Sequence, residues 1–311
     1  MNIDFNSVLK NSSINKNGRK FPDRADIRCY GSMLFPELSP SFSIEAGESI
    51  FTIGSCFARE IEEVLQPLNF KVPTTVFTVP KSEWGARPNG LLNEYNPGTI
   101  SQRILYALEG KYLSEETVVA SNDLYADLML LGGSDVTKDR AFVRRNEIFD
   151  VYTNLQKSPY VVITLGFIEA WFDNKTQLYI NRMPPIAYIK SDPKRFSFRI
   201  LDVFDAYPLL NKALEALCDK GVKVILTVSP VPIQSTFTKS DCITANEFSK
   251  SVLRVCAERL CKRFSNVDYF PSYEIARSGG LANYQIDNVH VKKEVVKKII
   301  DFMIKGYLKQ E

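Results

Sequence analysis

Ser49-Ile50-Phe51-Thr52-Ile53-Gly54-Ser55-Cys56-Phe57-Ala58 reads as a strand that runs through a tight turn into a helix. Ile50 to Ile53 is short, apolar and largely β-branched, as a strand covered on both faces requires, and Gly54 permits a sharp change of direction. Beyond the turn, Phe57, Ile61, Val64, Leu65 and Leu68 recur at helical spacing. The same grammar returns twice: Tyr160 to Leu165 is a continuous apolar run closed by Gly166, and Val222 to Val228 is another, closed by Ser229-Pro230. Apolar strands alternating with amphipathic helices predict an α/β fold, a three-layer α/β/α sandwich around a central parallel sheet.

Other elements follow from that frame. Lys71 to Val79 is β-rich and reads as a second strand, and Asn96-Pro97-Gly98 opens a helix carrying Ile100, Ile104, Leu105 and Leu108. Periodicity weakens over residues 111–150, around Gly132-Gly133, which predicts an insertion of mixed structure. A hairpin excursion is expected around Gln177 to Pro185, a helix from Val203 to Asp219, and a long helix with Phe248, Val252, Cys256 and Leu260 on one stripe. A short strand at Val267 to Phe270 precedes a closing helix with Val295, Ile299, Ile300, Met303 and Tyr307. Residues 1–48 are polar and irregular, with Pro22, Pro36 and Pro40, and read as an arm on a single domain spanning residues 49–311.

Composition narrows the function classes. With 311 residues, 45% hydrophobic and 24% charged, the chain can bury a substantial core. Its net charge of +3 is dispersed, so no basic stripe points to nucleic acid. Met1 to Lys10 lacks the apolar core of a signal peptide, and no apolar run approaches the roughly 20 residues of a membrane span, so a cytoplasmic location is expected. Six cysteines form no CxxC pair and the chain has one histidine, which argues against a metal site.

In an open parallel sheet, ligands gather where loops leave the carboxyl ends of the strands. Gly54-Ser55-Cys56, Gly166 to Trp171 and Ser229 to Ser235 lie there, with the loop Asp287 to His290 as a fourth candidate. At a helix mouth a thiol loses its proton more easily and an oxyanion finds N–H donors, which places Cys56 as a nucleophile. Ser55 as an N-cap beside a packing cysteine also satisfies the segment. His290 is the only histidine, and Asp287, three residues earlier, is spaced to orient its ring. A surface histidine ahead of a helix fits that spacing as well.

Taken together, these features resemble the SGNH/GDSL hydrolase superfamily and, within it, the GSCFA-domain family, whose name is spelled by Gly54-Ser55-Cys56-Phe57-Ala58. Leu92-Asn93-Glu94-Tyr95-Asn96-Pro97, Thr164-Leu165-Gly166 with Glu169-Ala170-Trp171, Thr227 to Val231, Ala245-Asn246 with Ser249-Lys250-Ser251, Tyr269 to Glu274 and Asp287-x-x-His290 carry the likeness from Phe51 to the C-terminus. The resemblance implies a nucleophile two residues after the first-strand glycine, at Cys56 rather than Ser55, with His290 as base and Asp287 as its orienter. The superfamily's oxyanion asparagine is absent, because the matching segment is Gly166-Phe167-Ile168-Glu169. Asn96 and the N–H groups of Cys56 and Gly98 are the substitutes, and Gly166, Glu169 and Trp171 are candidates to line the pocket. Glu169 bonded to backbone and Trp171 packed as an indole are the structural alternatives. Asn246, Lys250 and Arg254 share a helix face, suited either to an anion or to structural ion pairs.

The resemblance further implies acyl transfer on a carbohydrate, by an O-acyl esterase or O-acetyltransferase acting on a bacterial surface polysaccharide or glycoconjugate. No tightly bound cofactor is expected, acetyl-CoA is a plausible acyl donor, and polysaccharide-assembly proteins are the expected associates. A non-catalytic module that holds a glycan or nucleotide-linked ligand in the same cleft is the alternative.

Overall fold

The computed structural model describes residues 2–16 and 18–309; Met1 and Asn17 of the expected arm and Gln310 and Glu311 at the end of the expected domain lie outside them. Four strands, β3 (Ile50–Gly54), β6 (Tyr160–Leu165), β10 (Lys223–Val228) and β11 (Val267–Tyr269), form a sheet in the order β11-β10-β6-β3 with every neighbouring pair parallel. Period-2 alternation sends successive side chains to opposite faces. Phe51, Ile53, Val161, Ile163, Leu165, Val224 and Leu226 enter one apolar cluster, with Ile100 and Ile104 of α3 (Pro97–Glu109), Leu210 and Leu214 of α6 (Val203–Cys218), and Leu253 and Cys256 of α7 (Cys242–Arg263). Ile50, Val162 and Ile225 enter the other, with Phe57 and Ile61 of α2 (Cys56–Leu65), Ile275 of α8 (Ser272–Ser278), and Val295 and Ile299 of α9 (Lys293–Tyr307). The result is the three-layer α/β/α sandwich with a parallel sheet.

A small antiparallel sheet, β8-β7-β9, stands beside the main one, built from β7 (Glu169–Asp173), β8 (Leu178–Ile180) and β9 (Phe196–Ile200). The expected excursion at Gln177 to Pro185 therefore starts earlier, turns with Gln177 in the left-handed region (φ 58°), and gains a third strand beyond α5 (Ile186–Ser191). Residues 111–150 hold a hairpin, β4 (Val118–Ser121) with β5 (Leu124–Asp127), and most of α4 (Lys138–Thr153). That helix escapes apolar periodicity because its inward face carries arginines: buried Arg144 pairs with Glu83 at 3.2 Å and Arg145 with Asp127 at 2.6 Å.

Two other expectations are corrected. Lys71 to Val79 is not a strand: Lys71 makes one bridge to Ser49, then Pro73, lacking an N–H, opens a 3₁₀ turn over Pro73–Val76. Phe248 is 52% exposed, and the buried stripe of α7 runs through Ser249, Val252, Leu253, Cys256, Ala257 and Leu260 instead. In the arm, α1 (Phe5–Ile14) and the short hairpin of β1 (Cys29–Tyr30) with β2 (Met33–Leu34) precede a segment laid on α9. Its contacts are Phe35 on Phe302 at 5.0 Å between centroids, Phe42 on Tyr307 at 5.4 Å, and buried Ile44.

Gly54 is where chain path and function meet. Its φ of +129° disfavours any side chain, and a Cβ there would lie 2.1 Å from the carbonyl oxygen of Thr164 on β6. Gly54→Ala is expected to destabilise the fold by about 3 kcal/mol, combining backbone strain with a clash that neither strand can relieve. Urea unfolding monitored by far-UV circular dichroism measures it, and a variant within about 0.5 kcal/mol of wild type contradicts the account.

Candidate active site

The turn after Gly54 distributes two adjacent polar side chains unequally. Ser55 donates its N–H to Thr164 O at 3.0 Å, while its Oγ accepts the Phe57 N–H at 3.3 Å and pairs with Thr164 Oγ1 at 3.0 Å. It is the N-cap of α2 and 1% exposed, so its hydroxyl is committed to structure. Cys56, the first residue of α2, lines a cleft of about 660 Å³ formed over the carboxyl ends of the strands.

The segment Leu92 to Pro97 runs alongside β3, with Asn93 bridged to Gly54 and the Glu94 N–H donated to Gly54 O at 2.8 Å. That places Tyr95, whose ring stacks on Phe167 at 5.1 Å, with its hydroxyl against both the thiol and the backbone N–H of Cys56. Asn93 Nδ2 donates to Tyr95 Oη at 3.2 Å, leaving the phenolic proton free to point at the site. Burial pushes the Tyr95 phenol upward, so it stays a neutral donor. Burial also pushes the Cys56 thiol up, outweighing the opposing Tyr95 hydrogen bond and the Lys250 charge. The helix mouth alone therefore does not yield the lowered thiol that sequence reasoning expected.

Asp287 and His290 form a compact pair on the loop before α9, with His290 on the same cleft. Asp287 Oδ1 accepts the N–H groups of Val289 and His290, each at 3.0 Å, and Oδ2 meets His290 Nδ1 at 2.6 Å. Asn288 between them takes a left-handed φ of 54°, which closes the loop. The hydrogen bond from His290, then the two backbone N–H groups, hold the Asp287 carboxyl down at about 2. With Nδ1–H turned to the carboxylate, Nε2 is left as the acceptor. His290 and Cys56 line the same cleft, and among the described residues no hydrogen bond joins them.

The remaining candidates divide. Asn96 caps α3, its Oδ1 accepting the Thr99 N–H at 2.9 Å, and the residue lines the cleft. Gly98 is not part of the cleft wall, because the Tyr179 ring packs where its side chain would be, 2.2 Å from an added Cβ. Gly166 lines the cleft, but its N–H is given to Tyr95 O at 2.9 Å and is not free for an oxyanion. Glu169 lines it too, yet both carboxylate oxygens tether the loop above: one accepts from Thr236 Oγ1, the other from the Phe237 N–H at 3.0 Å. Trp171 forms an aromatic wall with Phe198 and Phe237, at 5.2 and 5.7 Å.

Two residues near the thiol escaped sequence reasoning. Tyr95 entered it only within the Leu92 to Pro97 motif, and Lys250 only as part of a helix face. Lys250 is in fact 1% exposed, and its Nζ donates to Gly166 O and Val231 O, each at 2.7 Å. Arg254, by contrast, pairs with Glu258 and Glu274 at 2.9 and 3.0 Å, and Glu274 also accepts from Tyr269 Oη. Among the described residues, no group of three or more His, Cys, Asp or Glu is placed to hold a metal ion, and no helix is long and apolar enough to cross a membrane.

Among solved structures, the chain is similar to a catalytic mutant of Axe2, an acetylxylan esterase from Geobacillus stearothermophilus, at 10% identity and a TM-score of 0.37, covering 87% of this chain and 100% of that one. It is also similar to LAE5, an alpha/beta hydrolase enzyme from the metagenome of Lake Arreo, at 12% identity and a TM-score of 0.36, covering 85% and 96%. A carbohydrate esterase family 2 enzyme of Corynascus thermopiles (Myceliophthora fergusii) follows at 13% identity and a TM-score of 0.31, covering 88% and 68%. At such scores the likeness carries no argument about activity. No curated protein matches the sequence. The sequence model of the GSCFA family matches residues 49–302, from the serine before β3 through most of α9, and on that match the chain belongs to the GSCFA family.

Proposed function

We propose that this protein is an acyl-transfer enzyme of the SGNH type, a carbohydrate O-acyl esterase or O-acetyltransferase acting on a bacterial surface polysaccharide or glycoconjugate. The observation that supports it most is the pairing of a helix-mouth cysteine with an aspartate-oriented histidine on one cleft. In this reading Cys56 Sγ attacks the ester carbonyl, and its proton passes to His290 Nε2 while Asp287 holds Nδ1–H. The tetrahedral oxyanion takes hydrogen bonds from the Tyr95 hydroxyl, the Cys56 N–H and Asn96 Nδ2, which replace the missing asparagine after Gly166. Collapse expels the leaving group, the sugar alkoxide of an ester or the thiolate of acetyl-CoA, which recovers the proton from His290. Water, or a sugar hydroxyl in a transferase, then cleaves the thioester with His290 again as base.

Incubation with an acetylated surface polysaccharide, or with acetyl-CoA and unacetylated glycan, tests the reading when acetate is followed by NMR. Release or transfer dependent on Cys56 supports it. The raised thiol, with no bond to His290, favours a second reading in which the cleft only holds a glycan or nucleotide-linked ligand. Ligand binding without turnover across a broad acyl panel, unchanged in Cys56→Ala and His290→Ala, selects that one. Within the enzymatic reading, Tyr95→Phe removes one oxyanion donor while keeping the ring on Phe167, so kcat should fall roughly 10²-fold with KM little changed. Steady-state kinetics checks this, and an unaltered kcat removes Tyr95 from the hole.

A further inference from the structure

The arm carries apolar side chains that the domain does not cover. α1 has no buried residue; it is held as a helix by Asp4, whose Oδ1 accepts the N–H groups of Asn6 and Ser7 at 3.0 and 3.1 Å. Phe5, Val8 and Leu9 share one of its faces by their spacing. Of the 24 large hydrophobic side chains exposed among the described residues, eight fall within residues 3–30 of a chain of 311. Phe5 is 73% exposed, and Phe21 and Ile27, beyond the helix, are 88 and 93% exposed. Apolar surface gathered in this way marks an interaction site.

Positive charge is gathered on the same segment. Residues 1–30 hold six of the 39 lysines and arginines but three of the 36 acids, so 33 of each remain over residues 31–311 and the whole net charge of +3 resides on the arm. The three acids are engaged: Asp4 caps α1, Asp23 accepts the Ala25 N–H at 2.8 Å, and Asp26 pairs with Arg28 at 2.8 Å. Lys10, Lys16, Arg19, Lys20 and Arg24 are exposed and form no ion pair among the described residues. A second copy offers the arm no complementary charge, because residues 31–311 are balanced. A grooved partner reads a helix by an apolar stripe continued over several turns, whereas here Phe5, Val8 and Leu9 are followed by Ser12 and Ser13, and Phe21 and Ile27 lie on irregular chain. A lipid surface has no fixed shape to match, so scattered anchors insert one by one while the cations among them meet anionic headgroups. We propose that residues 3–30 dock the protein peripherally on an anionic membrane surface, with Phe5, Val8, Leu9, Phe21 and Ile27 entering the headgroup boundary and the free lysines and arginines facing the lipid phosphates.

Co-sedimentation of the full chain with phosphatidylcholine vesicles, with and without about one-third phosphatidylglycerol, tests this. The wild type should bind the anionic vesicles about tenfold or more tightly than the neutral ones, and lose most of that advantage when salt is raised from about 0.1 M to about 0.5 M. Phe5→Ser with Leu9→Ser should weaken binding to the anionic vesicles about tenfold. Lys16→Gln with Lys20→Gln and Arg24→Gln brings the arm to zero net charge and should make the two vesicle types equivalent. All five side chains are exposed, so far-UV circular dichroism of both variants should match wild type. Phe204→Ser, at an 84% exposed position outside the arm, should bind as wild type does, and a loss there overturns the assignment to the arm. Absent binding, equal wild-type binding to both vesicle types, or binding unchanged in either arm variant overturns the proposal. Self-association in sedimentation velocity that is lost in the Phe5, Leu9 variant, with no vesicle binding, overturns it as well and places a second copy on the arm.

Discussion

Cys56→Ala is expected to lower acyl transfer by roughly 10³-fold or more, while Ser55→Ala retains most of the rate. The asymmetry follows from what each side chain touches. Ser55 Oγ is held by the Phe57 N–H and Thr164 Oγ1 and is buried beneath the turn, whereas Cys56 sits on the cleft beside the Tyr95 hydroxyl. Losing the serine removes an N-cap, which costs about 1 kcal/mol of stability and shows in unfolding rather than in kcat. Paired kinetics and urea titrations of the two variants check both halves. The reverse ordering would move the nucleophile to Ser55.

The second large effect is expected at the Asp287-His290 loop. His290→Ala removes the base and should cost roughly 10²- to 10⁴-fold in kcat. Asp287→Asn should fall in the same range, because an amide no longer holds Nδ1–H, and the ring is free to present the wrong nitrogen. The sign of the pH dependence discriminates. Asp287 is held at about 2, so its carboxylate is fully present above that value and protonates only as pH falls through it. Any acid limb of the rate between about pH 4 and pH 7 thus belongs to another group. Asp287→Asn should lower the rate across the whole pH range, and a pH–rate profile of both proteins checks it. A rate unchanged by the substitution contradicts the assigned role.

Much of the fold was legible because the parallel strands are buried on both faces and so appear as unbroken apolar runs. Ile50–Gly54, Tyr160–Leu165 and Lys223–Val228 match their runs within a residue. The alternating, half-buried signal was poorer where polar groups replace apolar ones inside. Arg144 and Arg145 on α4 and Asn246, Ser249 and Lys250 on α7 face inward, satisfied by ion pairs and carbonyls, and no hydropathy period records them. Lys71 to Val79 misled for the opposite reason: Thr74, Thr75 and Val76 are strand formers by composition, but Pro73 ends the ladder and buried Thr74 is drawn to Glu62. At the site, the turn and the Asp-x-x-His spacing are local and could be read. Tyr95 against Cys56 and Lys250 beneath Gly166 depend on strand register across the sheet, which a single sequence does not display.

The most direct test of Cys56 as an acylated nucleophile is mass spectrometry of protein quenched in acid during turnover of an acylated glycan. The account predicts one acyl group on the peptide containing Cys56, fragmenting to the cysteine and released by neutral hydroxylamine as a thioester is. An acyl group found on Ser55, or turnover with no acylated peptide under conditions where deacylation is slow, would contradict it.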